Sequence, residues 1–530
     1  MSSKASDIAK ISTKNGFHYL WGLVVSTVVS SLGVIVIARM LGADLYGLYS
    51  IAFMVPNLIM IFRDWGINFA IVKFSAQYRA EERKSEIKSI IISGVLFELL
   101  FGLVLMLVSI TISDYVAVSM YNRPALAPLM QLASLSILTS GIISAATGVF
   151  TGFERMALNS VMIVCQAIIK TLAIIGLIFV GLSTSGAVMG AIMGSLFAGI
   201  VGAILIRLIY VELHKNSSNK LQIKKYLLEM LKYATPLSIS LIITGFLLQY
   251  YSCLLPIYYS DNVAVANYSI AQNFVVLIGF FAVPITTVLF PAFSKLNAQK
   301  DKEALKNVFS LSVKYSSLIV IPIVFLVICL SQSAISILFG STYSSAAFYL
   351  SLLALTYLFV AFGSLSSGNL INSQGNTKLT MKLTVLTALI GFPLGLVLIF
   401  QLGVIGLIIS TLASNLPGIF ISLFIIKKQY GFTIDCLSSI KILLSSTLSA
   451  ILTYLAVSGI SNPVFSLLIG FSIFLFCLLP SLVLTKAIST TDIKTLQAMF
   501  EGLGRIQLIT NKVFVIVEKL MITYSKIHFW

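Results

Sequence analysis

Long apolar runs separated by short polar breaks dominate this chain. The runs lie near residues 17–38, 46–72, 89–112, 126–150, 158–180, 186–210, 235–258, 264–291, 309–330, 346–370, 380–400, 404–426, 442–459 and 464–485. Most come close to the ~20 helical residues needed to cross a bilayer; only the thirteenth is short. They are neither short nor alternating, as barrel strands would be. Helices remain, because they satisfy every backbone group within one segment. The breaks carry Gly, Pro, Asn and charges, as turns do. The pattern predicts an all-α polytopic membrane protein with about fourteen transmembrane helices.

Composition agrees. The chain is 58% hydrophobic and 10% charged, with a mean hydropathy of +1.02, against about 25% charged residues in a soluble domain. The net charge of +17 gains meaning from its placement. All but four of the 35 Lys and Arg fall before the first run, in or within about five residues of alternate connections, or after the last run. The exceptions are Arg39 and Arg123 on the opposite side, and Arg63 and Lys170 within spans. Cations collect on the cytoplasmic side because their translocation is unfavourable. Both termini are therefore expected in the cytoplasm of a cell-membrane protein. The cations face anionic lipid rather than nucleic acid.

The five cysteines form no CxxC or CxxH pair, so neither a disulfide framework nor a metal site is expected. The first run is too long for the core of a cleavable signal peptide. No GxxxxGK[ST], HExxH or GxSxG motif occurs, and His18 stands at the very start of the first run while His214 and His528 lie outside the spans. The chain is expected to be no enzyme and to need no cofactor.

Weak internal repeats share nearly one offset. YSIA occurs at 49–52 and 268–271, an offset of 219. FTGFERMALNS (150–160) and INSQGNTKLTM (371–381) are polar interruptions 221 apart, and SGAVMGAIMGSL (185–196) resembles IGLIISTLASNL (405–416) in its small residues at an offset of 220. The expected organisation is a six-helix half over 1–215, a second over 220–430, two added helices over 431–485 and a tail over 486–530. Two such pseudo-repeats around a central cavity are a transporter arrangement. The tail carries Lys512, Lys519 and Lys526 at a spacing of seven, which predicts an amphipathic helix on the inner surface.

The segment ARMLGADLYGLYSIAFMVPNLIMIFRDWGINFAIVKFSAQY (38–78) resembles the opening of polysaccharide and O-antigen-type flippases. Arg39, Leu41, Gly42, Tyr46 and Gly47 match that family's R-x-L-G-x-x-x-Y-G pattern, and NSQGNTKLTMKLT (372–384) and GVIGLIISTLAS (403–414) resemble its second half. The family sits within the multidrug/oligosaccharidyl-lipid/polysaccharide exporter superfamily. The resemblance implies a flippase moving a polyprenyl-diphosphate-linked glycan from the cytoplasmic to the outer leaflet. Two alternatives stay open: a multidrug exporter of the same superfamily, and a lipid II-type flippase, whose helix count fourteen matches better. The implied partners are the lipid-linked glycan, membrane lipids and glycan-assembly enzymes, with the chain itself a monomer.

A diphosphate head crossing hydrocarbon needs a polar cavity with cations. Lys170 lies about 13 residues into its span, or ~20 Å at 1.5 Å per residue, and shares a helical face with Gln166 and Asn159. Such a stripe faces a cavity or a partner. Glu98 is comparably deep, which leaves a structural Lys170–Glu98 pair as the competing reading. Arg63 and Asp64 either divide between the cavity mouth and a neighbouring helix, or both reach headgroups across a kink at Gly66. Gln272 and Asn273, with Tyr250 and Tyr251, either hydrogen-bond sugar hydroxyls or hold helices together.

Overall fold

The computed structural model describes residues 3–489 except 64, 215–220, 295 and 297–300, together with 492–493. The regular elements among them are helical. In order they are α1 (Ser3–Ala52), α2 (Met54–Arg63), α3 (Ile67–Ala80), α4 (Lys84–Tyr115), α5 (Ala127–Gly152), α6 (Met156–Leu177), α7 (Ser183–His214) and α8 (Ile223–Tyr258). Then follow α9 (Asn262–Ser294), α10 (Lys302–Phe339), α11 (Ser344–Ala354), α12 (Ser364–Ser373), α13 (Thr377–Tyr430), α14 (Cys436–Val457) and α15 (Pro463–Leu484).

Eleven helical segments among the described residues are long and apolar enough to cross a membrane, fewer than the fourteen expected. Three of them, Trp21–Arg79, Met156–Leu213 and Thr377–Tyr430, run for 59, 58 and 54 residues. A straight helix of that length would reach ~80 Å, over twice the hydrocarbon thickness. Each instead turns where the backbone leaves the helical region. The turns are at Gly42 (φ 73°, ψ 171°), at Gly181 (φ 92°) with Ser183 (φ 46°), and at Gly403 (φ 57°). Glycine suits these positions because a Cβ disfavours positive φ.

The helices are sorted by size and polarity rather than by hydrophobicity. On α4, Leu100, Val104 and Leu107 are exposed while Glu98, Ser109 and Ser113 are buried. On α14, Leu444, Leu448 and Leu455 are exposed while Ser445, Ser446, Ser449 and Thr453 are buried. In lipid nothing drives Leu inward, so close approach and interhelical hydrogen bonds choose the contact face. Ser109 and Ser134 meet across α4 and α5 at 2.8 Å. Ser449 and Ser481 meet across α14 and α15 at 3.0 Å.

The chain packs as two compact units, Met1–Ser269 with Ala388–Leu407, and Ile270–Thr387 with Ile408–Trp530. In the first, Ile67, Ile71 and Phe74 of α3 pack with Ile87, Ile90 and Ile91 of α4, Phe150 of α5 and Met162 of α6. The α6–α7 contact is close because Gly190 and Gly194 face the α6 backbone at Ile174 and Lys170, where a Cβ would collide. In the second, Phe474 and Leu478 of α15 pack with Ile321 of α10 and Ile442 of α14. Ile488 and Ile493 join that core. Asp492 accepts from Lys314 Nζ at 2.6 Å. Of the expected tail over 486–530, residues 490–491 and 494–530, with Lys512, Lys519 and Lys526, lie outside the described residues.

Matched local conformations recur at the offsets seen in the sequence. The end of α5 closes with Glu154 N–H to Thr151 O (3.0 Å) and Arg155 N–H to Phe150 O (2.8 Å). The end of α12 closes with Gly375 N–H to Asn372 O and Asn376 N–H to Ile371 O, both 3.1 Å, each 221 residues on. Asn159 reaches back eight residues to Thr151 (3.1 Å), as Thr380 does to Asn372 (2.6 Å). Ser183 (φ 46°, ψ −130°) and Gly403 (φ 57°, ψ −129°), 220 apart, share one backbone conformation.

Candidate functional site

The first unit contains a buried ion pair. Arg63, the last residue of α2, places Nη1 2.6 Å from Glu98 Oε2 on α4, with side chains 8% and 1% exposed. Gly66 (φ 67°) breaks the helix between α2 and α3, and Trp65 N–H returns to Arg63 O at 2.8 Å. Arg63 stands in the last turn of α2, the helix end that favours a cation. Trp65 packs edge-on against Phe101 at 6.5 Å, fixing α2 on α4. The helix does break at Gly66, yet Arg63 does not reach outward to a headgroup: it is buried. Asp64 lies outside the described residues.

This geometry removes the competing reading of a Lys170–Glu98 pair. Glu98 pairs with Arg63 and not with Lys170. The two cations were both at membrane depth in the sequence, and only the packing of α2 against α4 decides which reaches the carboxylate.

Lys170 and Gln166 are half-buried on α6, and neither forms a hydrogen bond or ion pair with a described residue. Lys170 stands 14 residues into α6, about 21 Å from its start, with its stem against Gly194. Asn159 shares their helical face, but it is 2% exposed and its amide is committed to Thr151 at the α5–α6 turn. Asn159 thus braces a turn. Its Oδ1 is buried without an acceptor–donor contact.

In the second unit Gln272 and Asn273 are exposed on α9. In the first, Tyr250 donates to Phe392 O at 3.3 Å. Tyr251 is buried against Gly391 and Gly395. These phenols tie α8 to α13, the helix-holding role of the two left open.

A polar chain in the first unit has little signature in the sequence: Asn262 donates to Asp44 Oδ1 at 2.8 Å and accepts from Arg123 Nη1 at 2.5 Å. The two cations outside the main charge pattern were its only signal, and Arg123 proves to be one end of it. Among the described residues no group of three His, Cys, Asp or Glu is placed to hold a metal ion.

A family model described as polysaccharide biosynthesis protein matches residues 12–297, and a second, MatE, matches 236–397. An uncharacterized membrane protein of Methanocaldococcus jannaschii is 31% identical over 155 residues, 29% of this chain and 30% of that protein. A Haloferax volcanii protein named as a low-salt glycan biosynthesis flippase is 27% identical over 177 residues, 32% and 36% of the two chains. The matches thus span about a third of these two relatives. A Shigella dysenteriae protein named as an O-antigen transporter is 24% identical over 285 residues, 53% of this chain and 68% of that one.

Among solved structures, a lipid II flippase in an inward closed conformation aligns with a TM-score of 0.68 at 18% identity, covering 87% of this chain and 97% of that one. An inward-facing multidrug resistance transporter of the MOP superfamily aligns at 0.63 and 15% identity, covering 78% and 98%. These likenesses carry the fold. The first family model covers over half of the sequence, and with the many apolar helices it establishes that this multi-pass membrane protein belongs to the polysaccharide biosynthesis protein family.

Proposed function

We propose that the protein flips a polyprenyl-diphosphate-linked oligosaccharide from the cytoplasmic to the outer leaflet, for polysaccharide or glycan assembly. The observation that carries this reading is the sign of the charge left unpaired at membrane depth among the described residues. Glu98 is neutralised by Arg63 at 2.6 Å. Lys170 has no carboxylate partner among the described residues. An unpaired intramembrane cation suits an anionic diphosphate. An exporter of cationic drugs would instead call for an unpaired carboxylate. The names of the Haloferax and Shigella relatives support the same substrate class. In the first unit Gln166, one turn before Lys170, offers a donor for sugar hydroxyls; in the second, taken by itself, Gln272 and Asn273 carry exposed amides that offer the same.

The proposed topology places both termini in the cytoplasm, since 31 of 35 cations then lie inside. Each of the three long segments crosses twice, which restores fourteen spans. The halves 1–215 and 220–430 are supported by the paired turns at Thr151–Asn159 and Asn372–Thr380.

The test is flipping of lipid-linked oligosaccharide in proteoliposomes. Lys170→Arg retains much of the transport and Lys170→Gln loses most of it, about tenfold or more for a lost charge-assisted contact of ~1.5 kcal/mol. Full flipping by Lys170→Gln at normal stability would remove Lys170 from the site. Transport of a cationic dye with no lipid-linked oligosaccharide flipping would favour the exporter.

A further inference from the structure

The helix ends of the first unit enclose a cavity of about 540 Å³ that the transport reading does not use. It is bounded by the end of α3, the start of α4, the α5–α6 turn and the end of α7. Arg79, Lys84 and Arg155 supply cations to its wall, Glu82 and Glu212 carboxylates, and Ile87 an apolar floor. Two of the cations are committed: Arg79 pairs with Glu154 at 2.7 Å and Arg155 with Glu212 at 2.8 Å. Lys84 and Glu82 form no ion pair with any described residue, nor with one another. The wall therefore presents one uncommitted charge of each sign.

Glu82 is held at φ 58°, a conformation that glycine adopts without cost and a side chain does not. The sequence keeps a carboxylate there nonetheless. Helix ends of spanning segments lie at headgroup depth, and the mixture of charges with Ile87 and Leu213 suits an amphiphile at that level.

We propose that this cavity holds the head of a membrane phospholipid bearing both a phosphate and a primary ammonium, the phosphate on Lys84 and the ammonium on Glu82. A primary ammonium has three donors for a carboxylate, whereas a trimethylated one has none. A diphosphate-linked glycan, with more than one negative charge and no ammonium, fits less well, so this site is separate from the transport path.

The experiment is native mass spectrometry of the full chain from nanodiscs holding equal fractions of phosphatidylethanolamine, phosphatidylcholine and phosphatidylglycerol. Wild type retains the ethanolamine lipid over the choline lipid by about fivefold, the size of one exposed charge pair. Glu82→Gly, which suits the backbone and keeps the fold, abolishes that preference and leaves phosphatidylglycerol retention intact. Lys84→Gln lowers both. Equal retention of the ethanolamine and choline lipids by wild type overturns the proposal, as does an unchanged preference in Glu82→Gly at unchanged thermal stability. Soluble phosphoethanolamine binding as tightly as the lipid overturns the assignment to a lipid.

Discussion

Removing the carboxylate of Glu98 while leaving Arg63 in place isolates the energetics of the buried pair. Arg63 would then be a guanidinium 7% exposed with no counter-charge among the described residues. At an effective dielectric of about 20, unit charges ~4 Å apart attract by ~4 kcal/mol. Breaking buried pairs elsewhere costs about 3–5 kcal/mol. Glu98→Gln is therefore expected to destabilise the protein by about 3 kcal/mol or more, somewhat less if the new amide accepts from Nη1. The double variant Arg63→Met/Glu98→Leu removes both charges and both desolvation costs, and is expected to recover most of the loss. The assay is reversible unfolding in mixed detergent micelles followed by tryptophan fluorescence. Only three tryptophans are present, and Trp65 lies two residues from Arg63. A Glu98→Gln variant within ~1 kcal/mol of wild type would refute the reasoning, because such a value belongs to an exposed pair. Flipping measured on the double variant separates a structural pair, with transport retained, from an Arg63 that also touches substrate.

Two more expectations concern the ends of the spans. The carboxyl of Asp435, the N-cap of α14, is held below the usual carboxylate range, chiefly by the Ser438 hydroxyl and also by backbone N–H groups at its helix start. Asp435→Ala is expected to cost about 1 kcal/mol at neutral pH. The sign follows from the lowered value: the contribution is complete above the ordinary aspartate pKa and disappears as the pH falls through the folded one, so wild type and variant converge only in acid. A gap that instead narrows toward alkaline pH would contradict this, in thermal scans across the range. Topology is checked with single cysteines placed in 211–232 and 427–441: membrane-impermeant reagents label them from the cytoplasmic side alone, and labelling from outside would reverse the map.

Much of the architecture was legible because the solvent imposes it. The spans of α4, α5, α6, α14 and α15 begin and end within about five residues of the apolar runs, since a hydrocarbon slab demands apolar length whatever the helices pack against. The span at 46–72 was legible in extent but not in form. Gly66 marked a kink, yet nothing local showed that α2 would stop at Arg63 and bury it. The segment 346–370 likewise became α11, a 3₁₀ stretch over Leu355–Phe362 and α12, with Gly363 (φ 72°) at the last junction.

The candidate site divides along the same line. That Arg63, Glu98, Gln166 and Lys170 sit at membrane depth followed from counting residues along helices of fixed rise. Their pairing did not. Arg63 and Glu98 are 35 residues apart on different helices. Which cation meets the carboxylate depends on how each helix is rotated and how closely it approaches. Those quantities are set by contacts such as Gly141 against Glu98 and Gly194 against Lys170. Composition and one-dimensional spacing sufficed for the solvent, the extent of most apolar runs, the offset near 220 and the depth of each charge. That Glu98 is taken by Arg63, and that Lys170 has no ion-pair partner among the described residues, came from packing alone, because an ion pair is a short-range contact between elements whose register no single helix encodes.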